Sequence, residues 1–127
     1  MPSSKKILVI DDEIQICDFL SGGLKRAGYE PITALLGQDG LEKALDQKPA
    51  LILLDIMLPD IDGWQVLSRL RKFESTKNIP VVILTGKGDT DTIFKCQQQK
   101  VADYFMKPIN MPELLAFIHR YISSHQS

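Results

Sequence analysis

A chain of 127 residues is the size of one domain with a single well-filled core, and 44% hydrophobic with 24% charged residues is the balance of an ordinary globular protein rather than a disordered or fibrous one. A formal charge of -1 and a pI of about 6.1 provide no basic stripe for a phosphodiester backbone, so direct nucleic-acid binding by this chain is not expected. No apolar stretch approaches the ~20 residues that span a bilayer and the polar N-terminus has no apolar leader core, so a cytoplasmic location without membrane contact is expected.

Ile7–Ile10 is a short, continuously apolar run, the pattern of a strand covered on both faces, and it stops on Asp11-Asp12-Glu13. Ile16, Leu20, Leu24 and Ala27 then recur at helical spacing and predict a helix over about 13–27. Gly22 and Gly23 inside it each cost up to ~1 kcal/mol relative to alanine, which only close packing or a partner surface would explain. Gly28 is placed to end that helix in a left-handed conformation, before a less distinct second strand near 30–35. Leu41, Ala44 and Leu45 mark a short second helix. Leu51–Leu54 is again continuously apolar and stops on Asp55.

Residues 58–63 carry Asp60 and Asp62 between a proline and a glycine, which predicts a turn with an N-cap rather than a paired catalytic site. Trp64, Leu67, Leu70 and Phe73 predict the third helix. Val81–Leu84 ends on Thr85, within Thr85-Gly86-Lys87-Gly88. A fourth helix at about 89–100 has a thin apolar face, limited to Ile93, Phe94, Cys96 and Val101 beside three glutamines, and is expected to be the least ordered element. The run Asp103–Met106 reaches Lys107-Pro108, and Asn110 then caps a fifth helix, with Glu113 in capping-box position and Pro112 in the first turn. Residues after Ile122 read as a frayed end or the start of a linker. Cys17 and Cys96 match no metal or redox spacing and are expected to be small buried or half-buried residues. His119 and His125 lack carboxylate or cysteine partners and are expected on the surface.

Strands alternating with helices over the whole length predict an α/β fold with a parallel sheet covered on both faces. The carboxyl ends of such strands open into one crevice, where ligands bind. Three carboxylates (Asp11, Asp12, Asp55), a hydroxyl (Thr85) and an ammonium (Lys107) would meet there. Clustered acids suit Mg²⁺, a hard cation that takes oxygen ligands and keeps positions open for water or phosphate. A lysine suits a phosphoryl oxygen or a carboxylate. Without metal the carboxylates repel one another, so at least one should have a raised pKa.

Four pieces in order, Ile7–Glu13, Leu53–Gly63, Ile83–Gly86 and Asp103–Ile109, resemble the receiver domain of bacterial two-component response regulators, from about Lys5 to Ile122. The resemblance implies a receiver domain over 5–123 with tails at 1–4 and 124–127. It implies a doubly wound, flavodoxin-like fold of five parallel strands in the order 2-1-3-4-5 with five helices, for which a chemotaxis member of this family is a standard example. It implies that Asp55 is the phosphoacceptor, that Asp11, Asp12, Asp55 and the Met57 backbone carbonyl hold Mg²⁺, and that Thr85 and Lys107 contact the phosphoryl group. Tyr104 would be the switch aromatic that responds to Thr85, and the Lys107–Pro108 bond would be cis.

The function implied is a regulatory switch rather than a metabolic enzyme. Asp55 takes a phosphoryl group from the phosphohistidine of a sensor histidine kinase or a histidine phosphotransfer protein and later loses it to water. The change biases the surface of the fourth helix, fifth strand and fifth helix toward a downstream effector, or toward an output domain absent from these residues. Two departures stand out: Lys100 sits where the family usually has glycine, which argues against a left-handed helix end there, and Phe117 stands where many members carry a charge, which suggests a partner or homodimer surface. A receiver-like interaction module that is never phosphorylated has no need of the acid, threonine and lysine set. An aspartate-nucleophile phosphohydrolase wants a general acid two residues after Asp55, where Met57 stands. A flavin carrier would not place Asp11-Asp12-Glu13 beside a phosphate.

Overall fold

The computed structural model describes residues 5–86, 88 and 90–124. Residues 1–4, Lys87, Asp89 and 125–127, including His125 and the first position expected for the fourth helix, lie outside them. The elements run β1 (Lys6–Ile10), α1 (Ile14–Arg26), β2 (Glu30–Ala34), α2 (Gly37–Gln47), β3 (Leu51–Asp55), α3 (Gly63–Leu70), β4 (Val81–Thr85), α4 (Thr90–Gln98), β5 (Asp103–Met106) and α5 (Met111–Ser124). The five strands form one parallel sheet in the order β2-β1-β3-β4-β5. This is the doubly wound, flavodoxin-like arrangement expected from the sequence.

The apolar runs are continuous because each side chain faces one of two covered layers. Leu8, Ile10, Ile52, Leu54, Val81 and Ile83 point to the side closed by α2, α3 and α4, through Leu41, Ala44, Val66, Leu67, Leu70 and Cys96. Ile7, Val9, Leu51, Leu53, Val82 and Leu84 point to the other, closed by α1 and α5 through Cys17, Leu20, Leu24, Leu114 and Ile118. Each fully buried leucine or isoleucine contributes about 1.5–3 kcal/mol relative to exposure, so the three central strands anchor the carboxylates that follow them.

Gly23 is explained by packing: a Cβ there would come within 2.4 Å of the Met111 side chain at the start of α5. Gly28 has φ +95°, the left-handed turn expected of it. Asn110 Oδ1 accepts from the Glu113 N–H at 3.0 Å, as the capping pattern predicts. Both cysteines are buried and His119 is exposed.

Several expectations are corrected. Lys100 does adopt the left-handed conformation, with φ 54°, and Lys48 at the end of α2 does the same with φ 47°. The chain accepts the cost of placing a Cβ there in order to turn out of the helix. Phe73 and Val101 lie beyond α3 and α4 rather than in them, and Phe94 points outward, leaving Cys96 as the buried residue of α4. Phe117, expected on a partner surface, is partly covered within the chain itself. It is half-buried against the α1–α5 layer, with its ring centroid 5.8 Å from Phe105 and 5.5 Å from Tyr121.

Candidate functional site

The strand ends converge as the topology requires. Asp11 extends β1 by one residue, its N–H donating to the Ala34 carbonyl at 3.0 Å. Asp55 is the last residue of β3 and Thr85 the last of β4, and Asp11, Asp55 and Thr85 are all buried. Asp12 follows exposed to solvent. One carboxylate oxygen from each of Asp11, Asp12 and Asp55 lies within 4.8 Å of the other two.

Lys107 is brought in by β5: its backbone N–H donates to the Thr85 carbonyl at 2.8 Å, just past the last rung of the β4–β5 ladder. The peptide bond that follows, to Pro108, is cis. Its Nζ lies 2.9 Å from Asp11 Oδ2, 3.0 Å from Glu13 Oε1 and 3.4 Å from Asp55 Oδ2. The Met57 N–H donates to Asp55 Oδ1 at 3.2 Å, which sets the backbone of Met57 beside the cluster. Gly63 allows the close approach of α3: a Cβ there would lie 2.6 Å from the Asp55 carbonyl oxygen and from Ile56 Cα.

Burial, and after it the negative charge of Asp11, pushes the Asp55 carboxyl up to about 6, against the opposing pull of the Met57 N–H and Lys107. The repulsion expected between the carboxylates contributes to this rise, second to burial. Burial alone would lower Lys107, but its close contacts with the Asp11 and Glu13 carboxylates, and the charges of Asp11 and Asp55, outweigh it and hold the ammonium above its ordinary value. Cys17 lies directly beneath, its Sγ donating to the Asp11 carbonyl at 3.3 Å. Burial, then the charges of Asp11 and Asp18, raises that thiol to about 11, so at neutral pH it packs rather than reacts.

Asp11 Oδ2 tests whether the donor set suits a metal. It is buried and takes no aligned hydrogen bond, although Lys107 gives it an ion pair at 2.9 Å. A buried anionic oxygen with spare acceptor capacity, grouped with two more carboxylates, is the donor chemistry a hard divalent cation takes. The cluster fits Mg²⁺. Asp12 and Met57 also border an open cavity of about 540 Å³ whose wall includes Trp64 and Lys95. Lys95 Nζ lies 5.3 Å from the Trp64 ring centroid, at the reach of a cation–π contact.

The structure thus gathers Asp11, Asp12, Asp55, Met57, Thr85 and Lys107 at one edge of the sheet. Tyr104 stands apart. It is opposite Ile83 in the ladder, half-buried against the α2–α3–α4 layer, and borders a cavity of about 170 Å³ with Cys96 and Val101. Sequence reasoning missed three participants. Glu13 was visible in the acidic run, but nothing tied it to Lys107, 94 residues away. Gly63 stands in the sequence only as the glycine that closes the turn of residues 58–63. Asp60 was read as part of a local turn, yet its carboxylate reaches the start of α2.

Residues 7–119 match the family described as the response regulator receiver domain. The chain belongs to that family. It is 38% identical over 122 residues to the transcriptional regulatory protein HprR of Escherichia coli, covering 96% of this chain and 53% of that protein. It is 40% identical over 111 residues to the DNA-binding dual master transcriptional regulator RpaA of Synechocystis, covering 87% of this chain and 46% of that one. The receiver chain therefore spans about half the length of these curated relatives. Among solved structures, a CheY-like receiver domain protein from Methanospirillum hungatei superposes with a TM-score of 0.88 at 30% identity, covering 96% of both chains. Receiver domains bind Mg²⁺ at an acidic pocket, and the carboxylate cluster here supplies such a pocket. No helix among the described residues is long and apolar enough to cross a membrane.

Proposed function

We propose that Asp55 is the phosphoacceptor of a phosphorelay, taking its phosphoryl group from a phosphohistidine on a sensor histidine kinase or a histidine phosphotransfer protein. The observation that carries this reading is the setting of Asp55, a buried carboxylate sharing the Lys107 ammonium with Asp11, and grouped with Asp12. With its carboxyl at about 6, Asp55 is mostly ionised at neutral pH and available as a nucleophile. An Asp55 oxygen bonds to phosphorus as the N–P bond breaks, and the electron pair leaves with the imidazole, which takes a proton from solvent.

Lys107 offsets the charge that would otherwise repel an anionic donor and stabilises negative charge on the transferring group. The Thr85 hydroxyl, on the last residue of β4, would donate to a phosphoryl oxygen. Asp11, Asp12, Asp55 and the Met57 carbonyl would hold Mg²⁺, which when bound screens charge on the phosphoryl oxygens. Water later cleaves the acyl phosphate and returns Asp55 to its carboxylate. Drawing Thr85 toward the phosphoryl group would free space behind β4 for Tyr104, and the α4–β5–α5 face would change its preference for a downstream effector, an output domain or a second copy of the chain. Phe94 and Met106 are exposed on that side. A cytoplasmic setting follows from this reading, since the donor kinases act there.

Intact-protein mass after incubation with acetyl phosphate and rapid quenching tests the proposal. One Mg²⁺-dependent phosphoryl adduct in the wild type, absent from Asp55→Asn, is expected. No adduct in the wild type would leave a receiver-like interaction module that is not phosphorylated.

A further inference from the structure

The loop between β3 and α3 carries the Met57 backbone, yet Met57 has little packing of its own, with 61% of its surface exposed. Its position depends on the frame of the loop. At the root of that frame the Ile56 carbonyl accepts from the Leu58 N–H at 3.2 Å and the Gly63 N–H at 2.9 Å. At the tip, the Asp60 carboxylate reaches beyond its own turn. Its Oδ1 accepts from the Gly37 N–H at 2.8 Å and its Oδ2 from the Gln38 N–H at 2.9 Å.

These two donors belong to the first turn of α2, where N–H groups lack partners within the helix. The residue in N-cap position, Leu36, has no side chain able to serve them. A carboxylate 23 and 22 residues downstream of these two donors does so instead, favoured further by the positive end of the helix dipole. The loop is also pressed onto the helix. A Cβ on Gly37 would come within 2.6 Å of Ile61 Cγ1 and 2.9 Å of Val66 Cγ2.

We infer that Asp60 is a positioning residue: by clamping the first turn of α2, it holds the β3–α3 loop in the conformation that sets the Met57 backbone against Asp55. The inference rests on the proposed role of Met57 as a backbone ligand. It makes the seat of α2 part of the site's geometry, although α2 itself contributes no group to the cluster. Residues that orient a metal's ligands typically cost 10–100-fold in affinity when removed.

Calorimetric Mg²⁺ titration of the wild type, Asp60→Ala and Asp60→Asn, together with amide exchange of the metal-free proteins, tests this. Asp60→Ala should weaken Mg²⁺ binding about tenfold and speed exchange of the Met57 amide. Asp60→Asn, which keeps one acceptor oxygen, should recover part of both. The deficit should persist at high salt, where a remote charge effect would be screened. Wild-type Mg²⁺ affinity and an unchanged Met57 amide in a folded Asp60→Ala protein would overturn the inference and leave the phosphoacceptor reading standing. Equal losses in both variants that vanish in salt would also overturn it, showing only charge. Absence of Mg²⁺ binding in the wild type would instead sink the metal site itself, whatever the amide exchange of the variants.

Discussion

Asp55 and Lys107 are in contact, yet removing their charges should move stability in opposite directions. The Asp55 carboxyl is raised to about 6 by burial and then by Asp11, so the folded chain binds its proton more tightly than the unfolded chain does. Between about pH 4 and pH 6 the folded state therefore holds more protons, and metal-free stability falls as pH rises through that window before levelling off. Asp55→Asn should remove this dependence and stabilise the metal-free protein at pH 7 by on the order of 1–3 kcal/mol, while abolishing phosphorylation. Urea denaturation of both proteins across pH 4–8 reads this directly, and equal slopes would contradict it. Lys107→Met, in contrast, strips the buried Asp11 carboxylate of its ion pair and should destabilise the fold by about 3 kcal/mol. A Lys107→Met protein as stable as the wild type would mean that Asp11 is satisfied by groups other than Lys107. The sequence showed which acids and hydroxyl gather at the strand ends, because continuous apolar runs locate the ends of β1, β3 and β4. It could not show that Lys107 is shared among Asp11, Glu13 and Asp55, since that depends on side-chain reach across three strands.

Among the elements, α3 and α4 meet the site in contrasting ways. The start of α3 sits so close to the end of β3 that Gly63 has no room for a side chain. Gly63→Ala should push the helix away, destabilise the chain by about 1–3 kcal/mol and weaken Mg²⁺ binding together with stability; an undisturbed variant would show that the loop gives way freely. By comparison α4 is lightly held, with Cys96 its buried residue and Lys95 reaching across to Trp64. Its amides should exchange faster than those of the other four helices, as expected of an element with few buried apolar contacts, and protection equal to that of α1 would contradict this. The thin face of α4 was legible in its composition. The conformation of Lys100 was not, because the sequence carries the local cost of a left-handed lysine and not the tertiary need for a sharp turn into β5. Asp60 was obscured for a related reason: a cap supplied by a distant loop has no local spacing to betray it.

Over the whole molecule, the sheet separates two jobs. The α1–α5 layer and the α2–α3–α4 layer bury the central strands completely, so the carboxylates rest on a rigid base. The groups proposed to respond, Thr85 and Tyr104, lie on the β4–β5 half, beside the lightly held helix. The layering was readable because strands covered on both faces have no polar alternation, whereas the surplus of apolar residues on α5 did not say how much of it the chain itself would cover. Phe117 is taken up by a row of rings with Phe105 and Tyr121. Phe117→Glu should therefore destabilise the isolated chain by about 2 kcal/mol, and an unchanged denaturation midpoint would return that ring to a partner surface. On the proposed function, the strand-end cluster directs a phosphoryl group to Asp55. The most direct test treats the protein with acetyl phosphate and Mg²⁺, reduces it with borohydride, and maps the product by peptide mass spectrometry, since reduction of an aspartyl phosphate leaves homoserine. Homoserine at position 55, dependent on Mg²⁺, is the predicted result; homoserine at another aspartate, or none while a related receiver treated in parallel is labelled, would contradict it.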